Sequence, residues 1–365
     1  MKKGIKIMKK IIFFAYTLQV GGAEKVLCDY INVLNDKYKI DLCLLQNIGE
    51  FKKDIPNNVN IIELRKNTVS YIPFRYFSLW RKHVINKIVD KGKYDIAIGF
   101  LEGRSATWVA DIKRPIKKIA FVHNDVNKFD IGIGGKEILD TYKKLNKIIT
   151  VSEVSKESFC EKYNFSKDDV QVLYNLIDEK AILKKAEESV EKNDIFTFVN
   201  VGKMRPQKRQ DRLIKIARDL KKEGYKFKIQ IIGNGPEEDK IKHLVKEYNV
   251  DDVVELKGLQ LNPYPYIKNA DVVVVSSDFE GYSIAIKEAL LLGKPVVSTD
   301  VSGVREMFDN GKYGIIAKVE TEDLKNKMRD VLDNKIDVKK IEKNLENYDC
   351  GNQKIIEELE VLINE

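Results

Sequence analysis

Glu280 and Glu288 are the acidic residues whose spacing best fits a binding site, because seven residues separate them across the start of a predicted helix. The apolar strand Asp271–Ser276 precedes the pair, and Ser283 is placed to cap the helix. A helix that begins just after a strand presents free backbone N–H groups and a positive dipole end, which suit a diphosphate. Glu288 lies more than one turn into the helix, where its carboxylate can accept hydrogen bonds from two neighbouring hydroxyls. The pair would therefore bracket a sugar nucleotide; the alternative is that both are solvated surface acids.

A group of cations follows a second predicted strand, Ile195–Val201. The loop after this strand contains Lys203, Arg205, Lys208 and Arg209. Cations at the carboxyl end of a strand can neutralise a leaving diphosphate, whose charge grows as a glycosidic bond breaks. Solvated basic residues are the alternative interpretation of this loop.

Two features of the first half of the chain also follow predicted strands. Gly22 belongs to a Gly-Gly turn from which a helix starts, and glycine there allows a ligand phosphate or an acceptor to approach the backbone closely. His123 directly follows the strand Lys118–Val122, at the edge of a predicted cleft. A simple turn and a structural histidine are the alternatives for these two positions.

The elements that must position these residues alternate between short apolar strands and amphipathic helices. In the first half the predicted strands are Lys10–Ala15, Ile40–Leu45, Val59–Leu64, Asp95–Phe100, Lys118–Val122, Lys147–Val151 and Val170–Leu173. In the second half they are Ile195–Val201, Phe227–Ile232, Val253–Leu256, Asp271–Ser276, Lys294–Ser298 and Gly314–Ile316. This alternation predicts parallel sheets with right-handed crossovers, whose ligands bind beyond the carboxyl ends of the strands.

The length of 365 residues exceeds the size at which one hydrophobic core stops growing. The two series of strands are separated by a polar stretch, Ala186–Asn193. We therefore predict an α/β protein of two Rossmann-like, doubly wound domains facing a cleft, with the first domain at residues 1–178 and the second at 179–345.

Composition excludes several classes of protein. The 43% of hydrophobic residues are typical of a globular protein, and no apolar run reaches the length of a membrane span. The net charge of +8 suits anionic partners, but the basic residues are spread along the chain among 56 acidic ones, so nucleic acid is not expected. Four scattered cysteines indicate reduced thiols in the cytoplasm, and no residue cluster has the spacing of metal ligands.

The segment from Glu280 to Glu288, within Phe-Glu-Gly-Tyr and before Glu-Ala-Leu, resembles the donor-site motif of retaining glycosyltransferases of family 4, which have the two-domain GT-B architecture. The resemblance covers nearly the whole chain, because the N-terminal glycine loop, the linker and the C-terminal motifs occur in the family's order. It implies that Glu288 binds the ribose hydroxyls and that Glu280 contacts the donor sugar. It also implies that the backbone around Tyr282, Ser283 and Ile284 holds the phosphates.

The same resemblance assigns roles to the remaining candidates. It implies that Lys203 and Lys208 stabilise the leaving group, although the family usually has arginine at the position of Lys203, and lysine lacks the bidentate geometry. It implies that His123 touches the donor sugar and that Gly22 contacts a phosphate. A base-recognition loop is expected around Leu259. No metal or other cofactor is expected, and the C-terminal helix, within residues 346–365, is expected to return to the first domain.

The implied reaction transfers a sugar from a nucleoside diphosphate sugar, most often a UDP-sugar, to a hydroxyl with retention of configuration. The acceptor is expected to be a glycan or a lipid-linked sugar in cell-surface polysaccharide synthesis. The segment Tyr71–Trp80 interleaves aromatic and basic residues, which suits either an anionic membrane interface at the inner face of the plasma membrane or a packed helix. The rival functions are a nucleotide-sugar epimerase of the same architecture and a non-catalytic partner subunit.

Overall fold

Buried apolar strands alternate with helices along the chain. The structure is a computed structural model, which describes residues 8–65, 74–128 and 135–364. Two units can be distinguished: one contains Met1–Leu176 together with Gln353–Glu365, and the other contains Ile177–Asn352. Each predicted strand is present, with ends that differ by at most two residues.

The first unit contains a parallel sheet in the order β3-β2-β1-β4-β5-β6-β7. Its strands are β1 (Lys10–Ala15), β2 (Lys39–Leu44), β3 (Asn60–Glu63), β4 (Ile96–Gly99), β5 (Lys117–Val122), β6 (Lys147–Thr150) and β7 (Val170–Val172). Its helices are α1 (Gly22–Leu34), α2 (Phe74–Gly92), α3 (Arg104–Ala110), α4 (Gly135–Tyr142) and α5 (Glu153–Tyr163). The strand order reverses between β1 and β4, which is where open α/β sheets bind ligands.

The second unit contains a parallel sheet in the order β10-β9-β8-β11-β12-β13. Its strands are β8 (Thr197–Val201), β9 (Lys228–Ile232), β10 (Val254–Gly258), β11 (Val272–Val275), β12 (Val296–Thr299) and β13 (Gly314–Ala317). The helices are α6 (Glu179–Lys185), α7 (Gln210–Lys222), α8 (Glu238–Glu247), α9 (Tyr264–Asn269), α10 (Ile284–Leu291), α11 (Val304–Met307), α12 (Thr321–Leu332) and α13 (Val338–Leu345). The order reverses between β8 and β11. Both sheets therefore have the doubly wound, Rossmann-like topology that the sequence predicts.

Strand β11 shows how the sequence specifies this layering. All of its residues are buried valines, as expected for a central parallel strand covered on both faces. Val272 and Val274 pack into the core on one side of the sheet. Val273 and Val275 pack into the core on the other side. The apolar run ends at Val275, so the polar residues that begin at Ser276 emerge at the carboxyl end of the strand.

The last helix, α14 (Asn352–Asn364), returns the chain to the first unit. Lys9 Nζ donates a hydrogen bond to the Ile363 carbonyl at 2.9 Å. At the start of the helix, the buried Asn352 side chain bonds to the backbone of Ile177, donating to its carbonyl at 2.6 Å and accepting from its N–H at 3.4 Å. One amide side chain thereby joins the two segments by which the chain enters and leaves the second unit.

The aromatic and basic segment Tyr71–Trp80 lies largely outside the described residues. Residues 66–73 are not described, and the described part of α2 gives no side-chain positions before Leu79. No helix in the described ranges has the length and apolarity of a membrane span. The membrane interpretation of this segment therefore stays a prediction.

We predict that Gly233→Ala destabilises the second unit more than a matched glycine substitution. Gly233 follows β9 with φ +137°, and a Cβ there would lie 2.1 Å from the Gly202 carbonyl oxygen. Gly224 also has a positive φ, +87°, but no described atom lies within 4 Å of its Cβ position. Positive φ costs an alanine about 1–2 kcal/mol at either site, and overpacking at Gly233 should add about 1–3 kcal/mol. Urea denaturation of Gly233→Ala and Gly224→Ala measures the difference; equal losses would contradict this packing argument.

Candidate functional site

The loops that follow β8 and β11 are hydrogen-bonded to each other at the point where the strand order reverses. The Ser276 hydroxyl donates to the Lys208 carbonyl at 2.8 Å, and the Asp278 N–H donates to the Gln207 carbonyl at 2.8 Å. Because the two strands are neighbours in the sheet, short loops suffice to bring these residues together. The predicted cation loop and the predicted glutamate loop therefore form one structure.

An ion-pair network strengthens this connection. Arg209 Nη1 donates to both carboxylate oxygens of Asp278 at 3.1 Å, and Arg212 Nη2 lies 2.6 Å from Asp278 Oδ1. Hydrogen bonds to Asp211 and Asp278 raise the pKa of Arg209. Arg209 thus joins the two loops through its hydrogen bonds to Asp278. The sequence analysis had interpreted it as one of the cations that could neutralise a diphosphate.

Lys208 and Glu280 form the central contact of the site. Lys208 Nζ lies 2.6 Å from Glu280 Oε1, and the Ser277 hydroxyl donates to the same oxygen at 2.6 Å. Glu280 is only 8% exposed, so it is not a solvated surface acid. An ammonium group has three donors, and Lys208 can therefore hold Glu280 while donating to a second anion.

Helix α10 begins directly after this contact. Ser283 occupies the N-cap position, as predicted, but the prediction that its side chain caps the helix is wrong. The residue starts the helix through its extended backbone instead (φ −71°, ψ 110°), with its carbonyl accepting the Lys287 N–H at 3.3 Å. The first amides of a helix, here from Ile284, have no acceptor within the helix. Without a Ser283 cap they suit an anionic ligand.

The side chain of Tyr282 has a separate structural role in the loop. Its ring lies beside Gly303, where a Cβ would come within 2.7 Å of Tyr282 Cδ2. The glycine therefore leaves room for the ring. This packing orients the backbone that runs into Ser283, which is the part of the loop expected to meet phosphate.

Glu288 lies one turn further along α10 and is also buried, with 6% exposure. The Tyr264 hydroxyl donates to Glu288 Oε1 at 2.8 Å. Leu259 is half-buried just beyond the end of β10, in the loop that leads to Tyr264. The candidate base loop and the candidate ribose carboxylate are thus connected through α9.

Lys203 follows β8 and is half-buried. In the part of the chain that the structure describes, its ammonium group has neither a hydrogen bond nor an ion pair, in contrast to Lys208. Arg205 is exposed nearby. The described residues contain no group of three or more potential metal ligands. Lys203, Lys208 and the start of α10 all contribute positive charge at this edge of the sheet.

Gly22 and His123 lie in the first unit, where Gly22 is the first residue of α1 and His123 directly follows β5. No described atom lies within 4 Å of the position that a Cβ on Gly22 would take. His123 is buried against Phe100 and Phe121, with ring centroids 4.9 and 5.8 Å away. Its Nε2 atom is buried and has no hydrogen-bond partner in the described chain, so it can donate to or accept from a ligand.

Glu102, which the sequence analysis missed, fixes the backbone at His123. It follows β4, is 7% exposed, and accepts the His123 N–H at 2.9 Å through Oε2. Its other oxygen accepts a hydrogen bond from the Asn124 side chain. Ser277 and Tyr264 were missed as well. The available signal was position: Glu102 and Ser277 lie just past strands at a reversal of strand order, whereas nothing in the sequence points to Tyr264.

We predict that acid destabilises the wild type more than a His123→Gln variant. Burial lowers the pKa of His123, against opposing contributions from Glu102 and a hydrogen bond to the Phe100 backbone. Below the usual pKa of about 6.5 the unfolded chain binds a proton that the folded chain does not. The stabilisation is complete above that value and is lost as the pH falls towards the lowered pKa, at up to about 1.4 kcal/mol per pH unit.

Urea denaturation between roughly pH 5 and 7 measures this difference. The exposed His83 and His243 are present in both proteins and cancel in the comparison. Parallel stability curves for the wild type and His123→Gln would contradict the prediction.

Comparisons with known proteins identify the family of this chain. A family model described as Glycosyltransferase Family 4 matches residues 20–181, and one described as Glycosyl transferases group 1 matches residues 181–348. A relative from Campylobacter jejuni is 27% identical over 333 residues, covering 86% of this chain and 87% of the relative. Its name is N-acetylgalactosamine-N,N'-diacetylbacillosaminyl-diphospho-undecaprenol 4-alpha-N-acetylgalactosaminyltransferase.

Solved structures show the same fold at low identity. Anabaena HepE in complex with UDP and glucose superposes with a TM-score of 0.77 at 19% identity, covering 96% of this chain and 99% of HepE. A mutant of Staphylococcus aureus TarM in complex with UDP superposes with a TM-score of 0.78 at 16% identity, covering 98% and 100% of the two chains. The chain belongs to the family 4 glycosyltransferases of GT-B architecture and is a glycosyltransferase of polysaccharide or glycoconjugate synthesis.

Proposed function

We propose that this enzyme transfers a sugar from a UDP-sugar to a hydroxyl of a glycan or lipid-linked acceptor, with retention of configuration and without a metal ion. The observation that carries the proposal is the contact of half-buried Lys208 with buried Glu280 directly before the start of α10, with buried Glu288 one turn beyond. The three features provide separate groups for a diphosphate, a sugar and a ribose.

In this proposal the positive charge of the site is supplied by the protein. Lys208, Lys203 and the amides of Ser283 and Ile284 neutralise the diphosphate as its charge grows in the transition state. Glu280 orients the donor sugar. Preorganised donors of this kind can take the place of a divalent cation, whose role would be the same.

Retention follows from a front-face displacement. The bond between the anomeric carbon and the phosphate oxygen breaks, the acceptor oxygen attacks from the same face, and the acceptor proton passes to the departing phosphate. The α product in the name of the Campylobacter jejuni relative supports retention, because nucleoside diphosphate hexoses are commonly α-linked. Proton NMR of the first-formed product would decide it, and a β anomer from an α-linked donor would exclude this pathway.

The acceptor and the location of the enzyme are proposed from the name of the same relative and from the net charge. The same relative acts, by its name, on a diphospho-undecaprenol-linked sugar. The net charge of +8 suits an anionic surface, and we propose peripheral contact with the inner face of the plasma membrane. Co-sedimentation with vesicles of anionic lipids tests this; no binding at low salt would exclude it.

We predict that UDP raises the melting temperature and that EDTA does not abolish the shift. Ligand that binds only the folded state stabilises it by mass action, at about 2.7 kcal/mol when its concentration is a hundred times Kd. A thermal-shift screen would compare UDP, GDP, ADP, CMP and their common sugars. Stabilisation by another nucleotide alone would contradict the UDP assignment, and loss of the shift in EDTA would contradict metal independence.

We predict that Glu280→Gln lowers transfer by at least about a hundredfold, because a neutral amide cannot provide the charge that orients and stabilises the reacting sugar. Nucleotide binding should change little, since Lys208 and the start of α10 remain. Glu306→Ala, at an exposed position on α11, is the matched control and should leave both properties unchanged. A Glu280→Gln enzyme with full transfer activity would contradict the assigned role.

A further inference from the structure

Tyr264 is a buried tyrosine whose hydroxyl contacts a residue of the proposed donor site. It is 3% exposed and packs in the core between the sheet and α10, together with Ile267 and Ala289. A tyrosine buried to this extent needs a partner for its hydroxyl. That partner is Glu288 Oε1, at 2.8 Å.

The local sequence holds Tyr264 in a defined backbone conformation. Pro263 precedes it at the N-cap position of α9, and Pro265 follows it, so the backbone is restricted on both sides. Asn262 adds two hydrogen bonds: its Oδ1 accepts the Tyr264 N–H at 3.3 Å, and its Nδ2 donates to the Lys185 carbonyl at 2.8 Å. A tyrosine ring has few rotatable bonds, so a fixed backbone and a packed ring leave the hydroxyl in one place.

The contact matters because Glu288 is buried. A carboxylate removed from water has two alternatives: it is stabilised by hydrogen bonds or it becomes protonated. The Tyr264 hydroxyl stabilises the ionised form and fixes the rotamer of the side chain. A carboxylate has about four acceptor positions, so one hydrogen bond from Tyr264 does not preclude hydrogen bonds from a ligand.

We propose that Tyr264 is a positioning residue that holds the Glu288 carboxylate in the orientation in which it accepts hydrogen bonds from the ribose diol of the donor nucleotide. This inference rests on the proposed function of Glu288. Tyr264 is also the first residue of α9, which follows the loop at Leu259. The start of α9 therefore couples the position of the base loop to the position of the Glu288 carboxylate.

The test is a binding cycle in which the hydroxyls of the protein and of the ligand are removed in turn. Tyr264→Phe keeps the ring in the core and removes only the hydroxyl. The ligands are UDP, 2'-deoxy-UDP and 3'-deoxy-UDP, and Kd is measured by calorimetry. We expect Tyr264→Phe to weaken UDP binding about ten- to 150-fold, as for loss of one hydrogen bond to a charged group. We expect the same substitution to weaken the binding of at least one deoxy nucleotide less than twofold, because that ligand already lacks the hydroxyl that Glu288 would contact.

Kinetics and a matched variant separate positioning from packing. With a UDP-sugar donor, Tyr264→Phe should raise KM by the same factor and leave kcat within about twofold, since Glu288 lies away from the reacting centre. Tyr266→Phe removes a hydroxyl from a half-buried tyrosine of the same helix and should alter neither constant.

Each other outcome rejects the inference. An equal loss of affinity for UDP and for both deoxy nucleotides would show that Tyr264 acts on the fold and not through the ribose contact. Wild-type protein that binds UDP and both deoxy nucleotides equally would show that Glu288 holds no ribose hydroxyl. If the wild type binds no nucleotide at all, the proposed function fails, and this inference fails with it.

Discussion

Two glutamate side chains are buried at the carboxyl edge of the second sheet, and the arrangement of the site depends on the partners that hold them there. Burial of an isolated carboxylate costs several kcal/mol, and removing one partner of a buried pair costs about 3–5 kcal/mol. Glu280 is compensated by Lys208 and Ser277. Glu288 is compensated by Tyr264. Compensation of each acid requires residues from another loop, so the charges fix the relative positions of the loops after β8, β10 and β11.

The fold provides these loops at the right place. In the order β10-β9-β8-β11-β12-β13, β8 and β11 are neighbours whose crossovers leave in opposite directions, so the loops at their carboxyl ends lie side by side. The Arg209–Asp278 and Arg212–Asp278 contacts then join the two loops. The same principle operates in the first unit, where Glu102 after β4 fixes the backbone at His123 after β5. In both units, an acidic residue that follows one strand fixes a residue that follows the neighbouring strand: Glu102 fixes His123 in the first unit, and Asp278 fixes Arg209 in the second.

Much of this architecture is predictable from sequence, because strand alternation and helical periodicity are local signals. The all-valine strand β11 is an example: its burial on both faces follows from its composition alone. Glu280 and Glu288 were predictable because their spacing places them on one loop-helix unit. Contacts between residues distant in the chain were not. Tyr264 reaches Glu288 across 24 positions, and the role of Arg209 depends on Asp278, 69 positions away.

The Ser283 cap shows a different limit of sequence analysis. The residue type and the position were right, but whether a serine hydroxyl turns towards the helix amides depends on its rotamer, which tertiary packing decides. The same uncertainty applies to every lysine of the cation loop. Lys208 is paired with Glu280, whereas Lys203 has no ionic partner among the described residues. Only the folded chain distinguishes these two side chains.

The crystal structure of the protein in complex with UDP is the most direct test of the central claim, that the edge of the sheet between β8 and β11 is the donor site. The account predicts the β-phosphate within hydrogen-bonding distance of Lys208 Nζ and of the backbone amides of Ser283 or Ile284, with the ribose hydroxyls on Glu288. Nucleotide bound at the turn after β9, around Gly233–Pro236, with Glu288 still bonded only within the protein, would contradict it.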